Sequence, residues 1–314
     1  MLTASCASSI LSVMKHIGRY RLDRIHGSGA FATVWQGFDT ELEITVAVKV
    51  LAENWAHQVD VRERFLDEAR LLRRLSSDRV VRVYDVGTHE GQPFFVMDFA
   101  TGGTLADRVD GSLAPDRALD LAAQSARSVQ VLHDAGVIHR DIKPSNLLVD
   151  IDRDGHERVV VADLGSAKRL AEASGITVTT GTPSYMAPEQ ALGRGIDERS
   201  DIYALGVVTY VLLTGTLPYD ISDPIALVTR KASDRPGRLP AEHRDALNSV
   251  LARAMALEPD GRPRSAEELA DALDRVAAGE GDVGAASGWP TKVIASLSAA
   301  LFVACGVVTW LVVR

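Results

Sequence analysis

His139-Arg140-Asp141-Ile142-Lys143-Pro144-Ser145-Asn146 puts a carboxylate, an ammonium and a carboxamide on one short stretch of chain. A further acid follows downstream in Asp163-Leu164-Gly165. Hard oxygens such as those of Asn146 and Asp163 suit Mg²⁺, which takes few protein ligands and completes its shell with phosphate and water. A carboxylate beside them, Asp141, can orient a hydroxyl in line with a phosphoryl group, and Lys143 can neutralise the charge that grows on it.

Upstream, Gly27-Ser28-Gly29-Ala30-Phe31-Ala32-Thr33-Val34 lies between two strand-like stretches. Glycines there let the backbone come close to phosphate oxygens and turn N–H groups on them. The next strand, Val46-Ala47-Val48-Lys49-Val50, carries a lysine among apolar residues. Such a lysine lies either on a solvated edge or inward, and an inward one needs an anion and a fixed acidic partner. A helix expected over Val61 to Leu75, with Phe65, Ala69, Leu72 and Leu75 on one face, offers Glu63, Asp67 and Glu68 as partners.

Val80-Val81-Arg82-Val83-Tyr84 and Phe94-Phe95-Val96-Met97 also read as strands. Beyond Thr101-Gly102-Gly103 the pattern turns helical. Helices are expected from Pro115 to Ala135, Ser200 to Thr214, Arg244 to Leu257 and Ser265 to Ala278. The last opens on the capping-box sequence Ser265-Ala266-Glu267-Glu268.

Over roughly Tyr20 to Ala278 these motifs resemble bacterial Hanks-type (eukaryotic-like) serine/threonine protein kinases. Gly181-Thr182-Pro183-Ser184-Tyr185-Met186-Ala187-Pro188-Glu189 is similar to the end of their activation segment, and Asp201-Ile202-Tyr203-Ala204-Leu205-Gly206 to the helix after it. Arg262 matches the arginine that pairs with the glutamate of Ala-Pro-Glu, here Glu189. The resemblance implies an α+β, two-lobed protein kinase fold: a small β-rich lobe with one regulatory helix over residues 20–97, a hinge at 98–101 and a larger helical lobe over 102–278. It selects Glu68 as the partner of Lys49 and makes Met97 the gatekeeper. Gly27, Ser28, Gly29, Ala30, Phe31, Val34, Ala47, Lys49, Met97, Asp98, Ala100 and Leu148 then border ATP. Asp141, Lys143, Asn146, Lys49 and Glu68 carry the chemistry, and Asn146 and Asp163 hold Mg²⁺, for which Mn²⁺ is a substitute. The implied activity is transfer of the ATP γ-phosphate to Ser/Thr hydroxyls of protein substrates. The chain's own Thr177, Thr179 or, behind them, Thr180 are included, where a phosphate would pair with Arg140. A silent, pseudokinase-type nucleotide-binding scaffold is the alternative. Three positions depart from the family pattern: Ala32 for the third glycine, Leu164 for phenylalanine, and His26 ahead of the first glycine.

A net charge of −8 over 314 residues argues against a nucleic-acid partner. Cys6 and Cys305, the two cysteines, have no neighbour at metal-ligand spacing. Residues 1–19 read as a disordered leader, and Met14 is an alternative start. Residues 279–292 are Gly-rich and read as a juxtamembrane linker. Residues 293–313 carry no charge over 21 positions and are bracketed by Lys292 and Arg314, as expected of a C-terminal transmembrane helix. The expected location is therefore the cell membrane, single-pass, with the kinase domain in the cytoplasm and the C-terminus at the outer face. Ser296, Ala300 and Ala304 are spaced as on a helix face that packs two membrane helices, so a homodimer is among the expected partners.

Overall fold

The computed structural model describes residues 16–164, 183–221, 224–231, 234, 236–237, 239 and 244–280. The expected phosphorylation sites Thr177, Thr179 and Thr180 and the expected membrane segment 293–313 lie outside the described residues. Among the described residues no helix is long and apolar enough to cross a membrane.

The N-terminal lobe is one antiparallel six-stranded sheet in the order β1-β2-β3-β4-β6-β5. Its strands are β1 (His16–Ile17), β2 (Tyr20–Ser28), β3 (Ala32–Asp39), β4 (Ile44–Leu51), β5 (Val83–His89) and β6 (Gln92–Asp98). Side chains alternate across a strand, so β4 serves two cores at once. Val46, Val48 and Val50 join Tyr20, Leu22, Trp35, Phe94 and Val96 on one face. Ala47 and Leu51 turn to the other, where Phe95 and Met97 meet the inserted helix. Lys49 shares that second face by register, which settles the lysine as inward.

Two helices follow β4: the short α1 (Glu53–Ala56) and α2 (Val59–Arg74). α2 buries Val61, Phe65, Glu68, Ala69 and Leu72 on the stripe that its periodicity predicts. It starts two residues before the expected Val61 and stops one before Leu75, whose extended backbone ends it.

Two expectations are corrected in this lobe. The leader does not reach residue 19: His16–Ile17 already pair with β2, and Ile17 is fully buried. The domain begins earlier because Ile17 completes the outer core beneath Tyr20 and Trp35. Val80 and Val81 are buried but lie outside β5; they bridge to Val161 instead, with Val81 N–H donating to the Val161 carbonyl and Val161 N–H to the Arg79 carbonyl, linking the two lobes.

The C-terminal lobe is built on α3 (Pro115–Asp134), the two-stranded β7 (Leu147–Ile151) and β8 (Glu157–Val161), α4 (Pro188–Leu192), α5 (Arg199–Thr214), α6 (Pro224–Thr229), α7 (Arg244–Ala254) and α8 (Ala266–Ala277). Ser200 through Leu213 are all buried, so α5 is the central post rather than an amphipathic surface helix. Ser265 caps α8 by accepting the Glu268 N–H, while the Glu268 carboxylate turns to the Arg264 N–H. The connecting segment is fixed to the C-terminal lobe where Gly102 N–H bonds the Val149 carbonyl at 2.8 Å and Val149 N–H bonds the Gly103 carbonyl at 2.9 Å. A Cβ on Gly102 would stand 2.7 Å from the Val149 oxygen, and Gly103 has φ +75°, so both positions demand glycine.

Candidate active site

The cleft between the lobes has a volume of about 630 Å³. Gly27, Ser28, Gly29, Ala30, Phe31, Val34 and Ala47 border it from the sheet, and Met97, Asp98 and Ala100 from the connecting segment. Leu148 borders it from β7. Asp98 uses its N–H on the Arg82 carbonyl and its carboxylate on Arg82 N–H and the Tyr84 hydroxyl, so its N–H is committed within the protein. Lys49, Glu68, Asp141, Lys143, Asn146 and Asp163 border the same cavity. The structure thus brings together every described residue expected at the site.

The polar centre is built from distant segments. Lys49 Nζ donates to Glu68 Oε1 at 2.8 Å and also bonds Asp163 Oδ1. Burial alone would lower the lysine pKa, but the charges of Asp163 and Glu68 outweigh it and raise the value. For Asp163, burial would raise the pKa, and the charge of Lys49 outweighs it and lowers the value. Both groups are therefore ionised at neutral pH. Asp163 stands at φ +57°, and the next side chain, Leu164, is 1 % exposed. Leucine fills the apolar slot expected for phenylalanine.

The loop at 139–146 is held from both ends. His139 is fully buried; its Nε2 bonds the Ala162 carbonyl at 2.9 Å and its Nδ1 accepts the Asp141 N–H at 3.2 Å. That pair of bonds places the ring proton on Nε2. Asp201, at the start of α5, accepts N–H bonds from His139 and Arg140 at 2.8 Å each and bonds His133 Nε2 at 2.9 Å. Arg140 sits at φ +67°, a backbone cost that these bonds offset. Within the loop Lys143 Nζ lies 2.9 Å from Asp141 Oδ2, and Asn146 Nδ2 donates to the Asp141 carbonyl at 2.8 Å.

Arg262 and Glu189 pair as expected. The guanidinium reaches both carboxylate oxygens, at 2.6 and 2.8 Å. Gln190, next to Glu189, donates to the Arg140 carbonyl at 2.9 Å and so ties this platform to the loop.

Three residues were not singled out beforehand. Asp201 was visible as the acid of a helix but not as the clamp on a loop far behind it. Asp107 borders the cleft and caps a 3-10 turn through Thr104 N–H and Oγ1; the Thr-x-x-Asp spacing was its signal. Trp55 left no signal in the pattern. His26 has a contact: its ring meets Phe99 edge-on at 5.3 Å at the mouth of the cleft.

A lysine–glutamate pair, a metal-suited aspartate and a clamped acidic loop thus gather around one cleft in a two-lobed fold. The sequence matches the protein kinase domain family over residues 20–272, and the chain belongs to that family. It is 38 % identical to the serine/threonine-protein kinase pkn2 of Myxococcus xanthus, over 82 % of this chain and 32 % of the relative. It is 35 % identical to the serine/threonine-protein kinase PknB of Mycobacterium tuberculosis, over 83 % of this chain and 43 % of the relative. The chain thus spans a third to under a half of the length of these curated relatives. Among solved structures it resembles a double mutant of the PknI kinase domain of Mycobacterium tuberculosis, with a TM-score of 0.64 and 28 % identity over 83 % of this chain and 97 % of that one.

Proposed function

We propose that this protein is a serine/threonine protein kinase that transfers the γ-phosphate of ATP to Ser/Thr hydroxyls of proteins, its own activation segment included. The observation that carries the reading is the convergence of Lys49, Glu68, Asp141, Asn146 and Asp163 on one cleft. Lys49, oriented by Glu68, meets the phosphates. Asp141 accepts the proton of the incoming hydroxyl and aligns it, and Lys143 balances charge on the group in flight. The donor set fits Mg²⁺, or Mn²⁺ in its place: Asn146 commits its amide nitrogen to the Asp141 carbonyl and so offers its oxygen, and the Asp163 side chain is 44 % exposed. Bound by Asn146 and Asp163, the ion would neutralise phosphate charge. The relatives named as serine/threonine kinases support the choice of hydroxyl. No observation favours the scaffold alternative, since none of the five polar residues is substituted.

The uncharged run 293–313 supports a membrane anchor with the kinase domain on the ATP-containing side and the C-terminus at the outer face. Its small-residue face supports a homodimer. The membrane reading predicts carbonate-resistant pelleting that is lost when residues 293–313 are removed.

The activity is tested with full-length protein, labelled ATP and a Ser/Thr-containing protein substrate. Label should appear on Ser and Thr, with sites among Thr177, Thr179 and Thr180. Asp141→Asn should lower transfer by about 100-fold or more while the melting temperature holds. No transfer by the wild type with Mg²⁺ or Mn²⁺ would sink the reading.

A further inference from the structure

We propose that Trp55 is a positioning residue that holds the glycine-rich loop over the phosphate end of the cleft and ties it to the helix bearing Glu68. The Trp55 indole N–H donates to the Ala30 carbonyl at 2.9 Å. Its ring lies against Phe31, with centroids 4.8 Å apart and planes at 38°. The backbone N–H of Ala52, three residues before Trp55, donates to the Phe31 carbonyl at 2.8 Å. Two consecutive carbonyls at the loop tip are therefore held by one short segment of chain.

The other restraints on this tip belong to its own hairpin: Gly29 N–H bonds the Ala32 carbonyl at 2.9 Å, and Gly27 and Ser28 pair with Val34 and Thr33. A Cβ built on Gly27 would touch nothing within 4 Å, and one on Gly29 would meet only the Ala32 carbonyl, at 3.6 Å. Residues 23–30 are exposed. Where a loop packs this loosely, one ring and one hydrogen bond carry a large share of its placement.

Peptide planarity turns that placement into chemistry. The N–H and C=O of a trans peptide point in opposite directions. Trp55 draws the Ala30 carbonyl to itself, so the Phe31 N–H of the same peptide turns the other way. Ala30 and Phe31 border the cleft and Trp55 does not. The oriented N–H is a donor aimed at an anion, and the phosphates of a bound nucleotide are the anion that the proposed function supplies; to that extent the inference rests on that reading.

The same residue links the loop to the catalytic pair. The Trp55 carbonyl accepts the Gln58 N–H at 3.0 Å, and the Gln58 carbonyl accepts the Arg62 N–H at 3.0 Å, in the first turn of α2. Glu68 lies further along that helix and bonds Lys49. Displacement of the tip is thereby felt at the start of the element that positions Glu68.

The test compares full-length wild type with Trp55→Phe, which keeps a ring and removes the N–H, and Trp55→Ala, which removes both. Trp55→Phe should raise the KM for ATP and the Kd for ADP by about 3- to 10-fold, the range set by one hydrogen bond, with kcat changed less than KM. Trp55→Ala should do more. ADP should alter tryptophan emission in the wild type, and Trp55→Phe should lack that change. Unchanged KM and Kd in Trp55→Phe would overturn the proposal. So would a fall in kcat and melting temperature with KM intact, which is the mark of a merely structural ring. ADP affinity is read without phosphate transfer. If wild type binds ADP but transfers nothing, the kinase reading falls and the Trp55 comparison still decides its own question.

Discussion

Arg262→Leu empties a site with no solvent to replace what is lost. The arginine side chain is 0 % exposed and that of Glu189 is 9 % exposed. Arg262 makes its two bonds to Glu189 and three more to the carbonyls of Ala256, Arg199 and Leu257. Removing one partner of a buried pair costs about 3–5 kcal/mol, a large part of the ~5–15 kcal/mol that holds a domain together. For a domain of this size that is a fall of roughly 6–20 °C in Tm. The pH dependence gives the sharper test. In the wild type, burial would push Glu189 up, but Arg262 and Ser200 outweigh it and hold the carboxyl below the usual range. The stability from the pair is present above the ordinary carboxylate pKa of about 4.3 and is lost as pH falls through the lower folded value. Without Arg262, burial dominates and the folded pKa rises instead. The deficit of Arg262→Leu should then be largest at pH 7.5 and shrink towards pH 5, as Glu189 takes up a proton. Thermal unfolding at both pH values checks this, together with a variant carrying Glu189→Leu and Arg262→Leu, which should recover most of the loss. A deficit under about 1 kcal/mol, or one indifferent to pH, would refute the reasoning.

Asp201→Asn keeps one acceptor oxygen but sets an amide NH₂ against backbone donors. It should cost about 1–3 kcal/mol and lower phosphate transfer by roughly 10-fold or more with the KM for ATP little changed; steady-state kinetics that match wild type would contradict the clamp. Glu157 is held at about 2 by hydrogen bonds to Arg108, then against burial, with Arg117 adding to the effect. Its contribution, on the order of 1 kcal/mol after solvent screening, should be present above pH 4.5 and lost between there and pH 2. Acid unfolding curves of wild type and Glu157→Gln should therefore converge towards pH 2, and curves that stay parallel would speak against it.

The parts of the fold that could be read in advance are those in which local pattern and burial agree. The α2 stripe and the α3 and α8 helices are of this kind, because one face is apolar, and α3 opens on Pro115 and α8 on the Ser265 cap. Val80 and Val81 misled because a buried apolar pair looks the same whether it lies in a sheet or in a lobe-to-lobe bridge. Lys49 could not be placed by pattern alone; β4 is buried on both faces, and only the register with β3 and β6 gives its direction. Asp201 and Trp55 were invisible in their roles for a related reason. Each acts on backbone atoms of a remote segment, and no side-chain periodicity records which carbonyl or N–H a residue will meet.

The hold of Asp201 on residues 139 and 140 sets an order of events during synthesis. The stretch that bears Asp141 leaves the ribosome well before α5 does, and until then the turn at Arg140 lacks the two bonds to Asp201, although Gln190 and the loop's own contacts are made earlier. A partly made chain therefore carries every group on that loop before Asp201 can grip its backbone. The clamp arrives only with the later-made post.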